Sequence, residues 1–330
     1  MDDTAARTLT DLGAAEKFSD PDTTAKGETR ASVALDRLDT LWLNTGTLCN
    51  IECANCYIFS SPTNDRLVYL TAAEAAAYLD EIERDGWATR EIGFTGGEPF
   101  MNPDMLAMAE DALERGFEVL ILTNAMQPMM RPRVQAGLKR LNAAHGNRLT
   151  LRVSLDHYTA EFHDMERGQG CFDKVLEGLD WLAGNGFRIA IAGRTCWGEG
   201  EHAGREGYRA LFADRGYAVD ADDPGALVLF PEMDEKAEVP EITTACWGIL
   251  GVSPSSVMCA SSRMVVKRKG KDHPVVLPCT LLPYDPGFEM GRTLADAARA
   301  DGGNFRDGAV KLNHVHCAKF CVLGGGSCSA

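Results

Sequence analysis

Residues 41–57 read LWLNTGTLCNIECANCY. An apolar run stops at Gly46 and delivers Cys49, Cys53 and Cys56 into a short loop. This CxxxCxxC spacing lets a tight loop fold its thiolates around one face of a cluster, and thiolate-rich sites select iron–sulfur or zinc. A structural zinc site closes four ligands, and the next cysteine, Cys171, is far along the chain. Three cysteines therefore suit a cluster that leaves one iron open to something else.

A second anchor follows about forty residues on: residues 91–104 read EIGFTGGEPFMNPD, a short β-rich stretch ending in Gly96-Gly97-Glu98-Pro99. From 41 to about 231 such apolar runs alternate with longer helical patterns, the signature of parallel βα units. Strand candidates are 41–45, 91–95, 117–122, 149–155, 187–193 and 226–230; helix candidates are 71–85, 103–115, 130–144, 171–185 and 202–215. The first helix opens at Thr71 with Glu74 three residues later, a capping box. Six units are too few for a closed eight-stranded barrel.

Polar residues stand just past each apolar run. After the cysteine loop and the glycines come Thr123-Asn124, then Ser154 and Asp156, then Arg194. Any one of these reads most plainly as a turn or cap residue. Five in register favour a shared site at the carboxyl ends of the strands, where parallel folds place their ligands.

The pair of motifs resembles the radical S-adenosylmethionine (radical SAM) superfamily, which has a CxxxCxxC loop after its first barrel strand and a GGEP motif after its second. The resemblance implies an α/β fold, an open partial (β/α)6 barrel. It implies a [4Fe–4S] cluster on Cys49, Cys53 and Cys56, whose open iron is chelated by the amino and carboxyl groups of SAM's methionine. The edge Gly96, Gly97, Glu98, Pro99 would receive the amino group, with Asn124 nearby. The family often has an aromatic residue before the third cysteine, beside the adenine; here that position is Asn55, and Tyr57 follows the cysteine. The stretch from Arg152 to Leu182 is similar to the superfamily's fourth unit, which implies that Ser154 and Asp156 reach the SAM ribose and Arg194 the methionine carboxylate. The reaction implied is reductive cleavage of SAM, with hydrogen abstraction from a small metabolite or peptide and a flavodoxin- or ferredoxin-type electron donor.

At 330 residues, 45% of them hydrophobic, the chain is long enough for a large core or two smaller ones. A net charge of −15 argues against a broad grip on nucleic acid, which needs clustered Lys and Arg. The basic run Lys267-Arg268-Lys269-Gly270-Lys271 reads as a solvated turn. There is no run of about 18 apolar residues and no secretory pattern in the acidic start, so a cytoplasmic protein without membrane contact is expected. Eleven cysteines without a secretion signal point to metal rather than disulfides. Cys171 and Cys196 read as buried small apolar residues. His157, Tyr158, His163 and Asp164 are expected on the loop after the fourth strand.

Residues 1–40 are polar and read as a loosely ordered arm with a helix near the start, leaving no room for a separate peptide-recognition domain. That leans slightly to a metabolite over a ribosomal peptide. Past 231 the alternation stops, and the barrel is expected to end near 235, with a cysteine-rich unit over 236–330. It contains Cys246, Cys259, Cys279, Cys317, Cys321 and Cys328 around a hairpin of strand 263–268, turn 269–272 and strand 274–278. The tail HCAKFCVLGGGSC adds glycines that let backbone amides approach a cluster. Four thiolates around a hairpin also build a zinc ribbon. The region resembles a reduced form of the auxiliary-cluster extensions called SPASM or twitch domains. That resemblance implies a second [4Fe–4S] cluster drawing on Cys259, Cys279, Cys317, Cys321 and Cys328.

Overall fold

The computed structural model describes residues 16–231 and 236–324. A first short strand, β1 (Ser32–Val33), precedes β2 (Thr40–Asn44), the first strand of the main sheet. Then come α1 (Ala72–Asp85), β3 (Glu91–Thr95), α2 (Met105–Glu114), β4 (Glu118–Thr123), α3 (Pro132–His145) and β5 (Leu149–Ser154). Two helices, α4 (Ala160–Arg167) and α5 (Cys171–Gly184), lead to β6 (Arg188–Arg194), α6 (Glu201–Arg215) and β7 (Leu227–Phe230). Beyond lie α7 (Cys246–Leu250), the hairpin β8 (Ser262–Val266) and β9 (Val275–Leu277), α8 (Leu294–Ala297), and the short strands β10 (Phe305–Arg306) and β11 (Ala309–Lys311).

Strands β2 to β7 lie side by side in chain order, all parallel, each joined to the next by helical connections. This is the open six-unit barrel expected. The sheet does not close, but it is wider than the six units. β8 pairs parallel with β2, and β9 pairs antiparallel with β8, so the hairpin of the cysteine-rich region continues the barrel sheet to eight strands. Only the hairpin itself was legible, because its partner strand stands about 220 residues earlier.

The period-2 alternation of the strands divides two cores. Leu41, Leu43, Val119, Ile121 and Val265 face the helices. Trp42, Leu120, Met264 and Val266 point inward and fill the barrel floor. Trp42 opposes Gly93 in register, and a Cβ on Gly93 would sit 2.4 Å from the indole Cε3, so the small residue makes room for the large one. Above that floor the same inward rows turn polar, at Arg152 and Ser154 and at Arg194.

The Thr71–Glu74 capping box is present at α1. The loop expected after the fourth strand is instead the eight-residue helix α4, which carries His163 and Asp164; its mostly polar sequence shows no apolar stripe. Residues 30–39, expected as part of a loose arm, are held in place: Ala31, Val33 and Leu38 are buried, β1 pairs with β11, and Arg30 meets Glu241 at 2.6 Å. The helix expected near the start falls outside the described residues. Among the described residues no helix is long and apolar enough to cross a membrane.

Candidate functional site

The cysteine loop is built onto the end of β2 by backbone contacts. The Asn44 side chain accepts from Gly46 N at 2.9 Å and starts the turn. Cys49 N donates to Ser61 O at 3.0 Å, and Ala54 N donates to Glu166 O at 2.7 Å, tying the loop to α4. Ser60 N donates to Cys56 Sγ at 3.3 Å, and Asn124 Nδ2 approaches Cys49 Sγ at 3.8 Å while donating to Asn50 Oδ1 at 2.9 Å. Such N–H donors toward sulfur suit thiolate ligands.

The two glycines after β3 lie against this loop. Gly97 N donates to Gly46 O at 2.8 Å and Glu98 N to Leu48 O at 3.2 Å. A Cβ on Gly97 would meet Leu48 O at 2.3 Å; one on Gly96, at φ +146°, would meet Gly46 O at 2.5 Å. Only glycines permit so close an approach of the two strand ends.

Glu98 itself turns away from the cavity. Its carboxylate accepts from Asn124 N, Phe100 N and Thr123 Oγ1, pinning the β3 edge to the β4 edge. Burial nevertheless pushes its carboxyl up to about 7, against those hydrogen bonds.

Twelve of the residues singled out from the sequence line one cavity of about 190 Å³: Cys49, Cys53, Asn55, Cys56, Tyr57, Gly96, Gly97, Thr123, Asn124, Ser154, Asp156 and Arg194. Glu98 and Pro99 are buried behind it. Sequence reasoning missed Arg152, Arg167, Phe230 and Phe320, which also line it. Arg152 was discoverable, two residues before Ser154 on the same strand face. The other signals were absent: Arg167 ends the unforeseen α4, and Phe320 sits in the tail between Cys317 and Cys321, where its ring stacks on Phe230.

Arg167 organises the polar wall. Its Nε and Nη2 donate to Asp156 Oδ2 and Oδ1 at 2.6 and 3.1 Å. Burial works against its charge, but the charge and hydrogen bonds of the Asp156 carboxylate outweigh that and hold it firmly protonated. Arg194 donates to Glu166 Oε2 at 3.1 Å, and Glu166 also accepts from Asn55 Nδ2 at 2.9 Å. Asn55, the residue just before Cys56, thus couples the cysteine loop to Arg194 through Glu166. Burial pushes the Cys49 thiol up to about 12 and raises Cys53, so in the free chain these remain thiols; metal binding must displace their protons.

Behind this wall, His163 on α4 is fully buried with neither ring nitrogen hydrogen-bonded, and burial pushes it down to about 4, so the ring is neutral. His157 and Tyr158 bond instead to Glu199, bracing the loops after β5 and β6. Cys171 Sγ donates to Arg167 O at 3.1 Å and closes the turn between α4 and α5.

At the hairpin, Cys259 precedes β8 and Cys279 follows β9, and Cys317 opens a π-helical segment, Cys317–Leu323. All three are buried and within electrostatic reach of one another. Burial pushes the Cys259 thiol up to about 11 and raises Cys317 well above its ordinary value. Cys321 is half-buried in the same segment, and Cys328, with Gly325 and Gly326, lies outside the described residues. Tyr284, five residues past Cys279, donates to Ile58 O at 2.6 Å, joining this region to the cysteine loop. Among the described residues no three His, Cys, Asp or Glu side chains stand close enough to hold a single metal ion.

Residues 43–202 match the sequence profile of the Radical SAM superfamily. That stretch, just under half of the chain, is a Radical SAM domain. It is 31% identical over 43% of its length to AdoMet-dependent heme synthase of Methanosarcina barkeri, 29% over 44% to the antilisterial bacteriocin subtilosin biosynthesis protein AlbA of Bacillus subtilis, and 30% over 43% to the mycofactocin maturase MftC of Mycolicibacterium smegmatis. These matches span only 38, 30 and 33% of the relatives' own lengths. Among solved structures, Streptococcus suis SuiB bound to S-adenosylmethionine superposes with TM-score 0.57 at 11% identity, over 81% of this chain and 66% of that one. anSMEcpe with bound AdoMet superposes with TM-score 0.56 at 14% identity, over 79% and 80%. These two likenesses concern the fold alone.

The chain's own residues fit a radical SAM cluster. The loop offers three cysteines, with Ser60 N and Asn124 Nδ2 beside two of the sulfurs, and the buried Ser60 Oγ lines the same cavity without a hydrogen-bond partner. Three thiol ligands with N–H donors beside them suit an iron–sulfur cluster.

Proposed function

We propose that this chain is a radical SAM enzyme that cleaves S-adenosylmethionine reductively and abstracts hydrogen from a peptide or small-molecule substrate. The carrying observation is convergence: the Cys49/Cys53/Cys56 loop, the Gly96-Gly97 edge, Asn124, Ser154 with Asp156, and Arg194 come from five strand ends and line one cavity. When bound, the cluster and SAM would supply the electron transfer and the 5′-deoxyadenosyl radical. The protein does the rest. Cys49, Cys53 and Cys56 would hold three irons, and the Gly96-Gly97 edge would offer backbone to the methionine amino group. Asn124, Ser154 and Tyr57 would line the nucleoside. Asp156 keeps lone pairs for ribose hydroxyls beyond its bonds to Arg167, and Arg194 would meet the carboxylate. Glu98 and Pro99 would act from behind, by holding that edge in place. Phe230 and Phe320 narrow the mouth and exclude water.

A peptide is the better-supported substrate class. AlbA and MftC are a bacteriocin biosynthesis protein and a mycofactocin maturase, and SuiB and anSMEcpe have been solved with peptides bound. A peptide needs to lower only one side chain into the cavity. This outweighs the lean to a metabolite drawn from the short polar arm over 1–40. A flavodoxin or ferredoxin in the cytoplasm would supply the electron.

We assign Cys259, Cys279 and Cys317 to a second, auxiliary metal site within a unit over 236–330, the fourth ligand coming from Cys321 or Cys328. Their burial and mutual proximity support this reading.

Anaerobically purified, reduced protein should convert SAM to 5′-deoxyadenosine and methionine. A yield no greater than that of Cys53→Ala would refute the enzyme reading. The variant Cys49→Ala/Cys53→Ala/Cys56→Ala should retain about 4 iron atoms per chain if the auxiliary site holds a [4Fe–4S] cluster. A zinc ribbon would leave it colourless with about one zinc.

A further inference from the structure

Strand β8, buried along its whole length, carries a cation just before its apolar run Met264-Val265-Val266. Arg263 is 1% exposed, one of the largest fully buried side chains among the described residues. Its Nη1 donates to the carbonyls of Cys259 and Ser262 at 2.6 and 2.7 Å, its Nη2 to Gly308 O at 3.4 Å, and its Nε has no hydrogen-bond partner. Arg30, Arg167 and Arg194, also largely buried, each meet a carboxylate at 2.6 to 3.1 Å. Arg263 meets none among the described residues. The acidic groups in reach of its charge are the thiols of Cys259 and Cys279.

A buried guanidinium keeps its proton, and burying a charge without a counter-charge is strongly unfavourable. Three carbonyls solvate it only in part. As neutral thiols Cys259 and Cys279 supply no negative charge; as metal-bound thiolates they do.

We propose that Arg263 is the counter-charge of an anionic metal–thiolate site formed by Cys259, Cys279 and Cys317, and that its guanidinium raises the reduction potential of an iron–sulfur cluster held there. The inference rests on the auxiliary-site reading above and adds to it a residue outside the ligand set. Positive charge beside a cluster favours its reduced, more negative form, so the surroundings of the ligands set the potential as much as the ligands do. The competing role is purely structural, a clamp joining the turn before β8 to Gly308.

The test uses the full chain with Cys49→Ala/Cys53→Ala/Cys56→Ala, in which only the auxiliary site can load. Arg263→Met and Arg263→Lys are made in that background. Each protein is measured for iron and zinc content, for midpoint potential, and for melting temperature with the metal bound and stripped. Arg263→Met should shift the reduction equilibrium about tenfold toward the oxidised form, 59 mV for one electron. It should also gain less melting temperature on loading than the parent. Arg263→Lys loses the forked clamp but keeps the charge, so it should stay near the parent in both respects. Equal gains on loading in all three proteins, with an unchanged potential, would leave only the clamp and overturn the proposal. If Arg263→Met does not fold, Arg263→Lys decides, and a tenfold shift in that variant overturns it. Should the metal be zinc, the difference between loaded and stripped melting temperatures carries the decision. A parent binding neither iron nor zinc would remove the auxiliary site itself, a failure visible before any change at Arg263.

Discussion

Replacing Arg167 with methionine removes a cation whose Nε and Nη2 hold Asp156 at 2.6 and 3.1 Å, with the two side chains only 13% and 7% exposed. Breaking a buried pair by deleting one partner costs about 3–5 kcal/mol, because the other charge is left uncompensated. The sign with pH follows from Asp156. Burial alone would raise its pKa, but the charge and hydrogen bonds of Arg167 outweigh burial and hold it below the usual 3.8. In the parent the pair therefore contributes stability above the unfolded pKa, lost as pH falls through the folded one. In Arg167→Met burial dominates, the folded pKa rises above the unfolded one, and the penalty shrinks as acid protonates the carboxyl. Urea denaturation in the Cys49→Ala/Cys53→Ala/Cys56→Ala background keeps cluster loss out of the measurement. The cost should be full near about pH 8 and smaller near about pH 5, by about 1.4 kcal/mol for each unit by which the folded pKa exceeds the solution pH. Adding Asp156→Asn should restore most of the loss. An equal cost at both pH values, without rescue, would show that the ion pair is not what Arg167 contributes.

Gly97→Ala places a Cβ 2.3 Å from Leu48 O, a backbone atom that cannot swing aside, so about 1–3 kcal/mol of stability and part of the loop iron should be lost; Gly184→Ala, with nothing within 4 Å, is the control and should not destabilise. Equal denaturation midpoints for the two variants would refute the close-packing argument. Asp156→Ala and Arg194→Ala should each weaken SAM binding roughly ten- to a hundredfold, the loss of about 1.5–3 kcal/mol for a charge-assisted contact, while the loop iron stays. Calorimetry with SAM on the reconstituted proteins measures this, and unchanged affinity in both would remove the assignment of the strand-end residues.

The sequence by itself determined the repeating architecture and the chemistry at its rim. Parallel strands buried on both faces have to be apolar runs, so β2 to β7 were visible within a residue or so. Cysteine spacing and the Gly-Gly pair are local requirements of a tight loop and of a close backbone approach. What the tertiary structure alone decided is partnership. Nothing near Arg167 in the chain says that it will claim Asp156, nor near Asn55 that it will reach Glu166 about 110 residues on. Phe320 enters the barrel mouth from the far end of the chain, and β8 extends the sheet beside β2 across some 220 residues. Arg263 reads as one more basic residue near a charged turn until its burial shows a cation without a carboxylate. Local sequence sets which residue types are available. Which of several chemically equivalent candidates meet depends on long-range packing, where burial turns an ordinary charge into one that requires a particular neighbour.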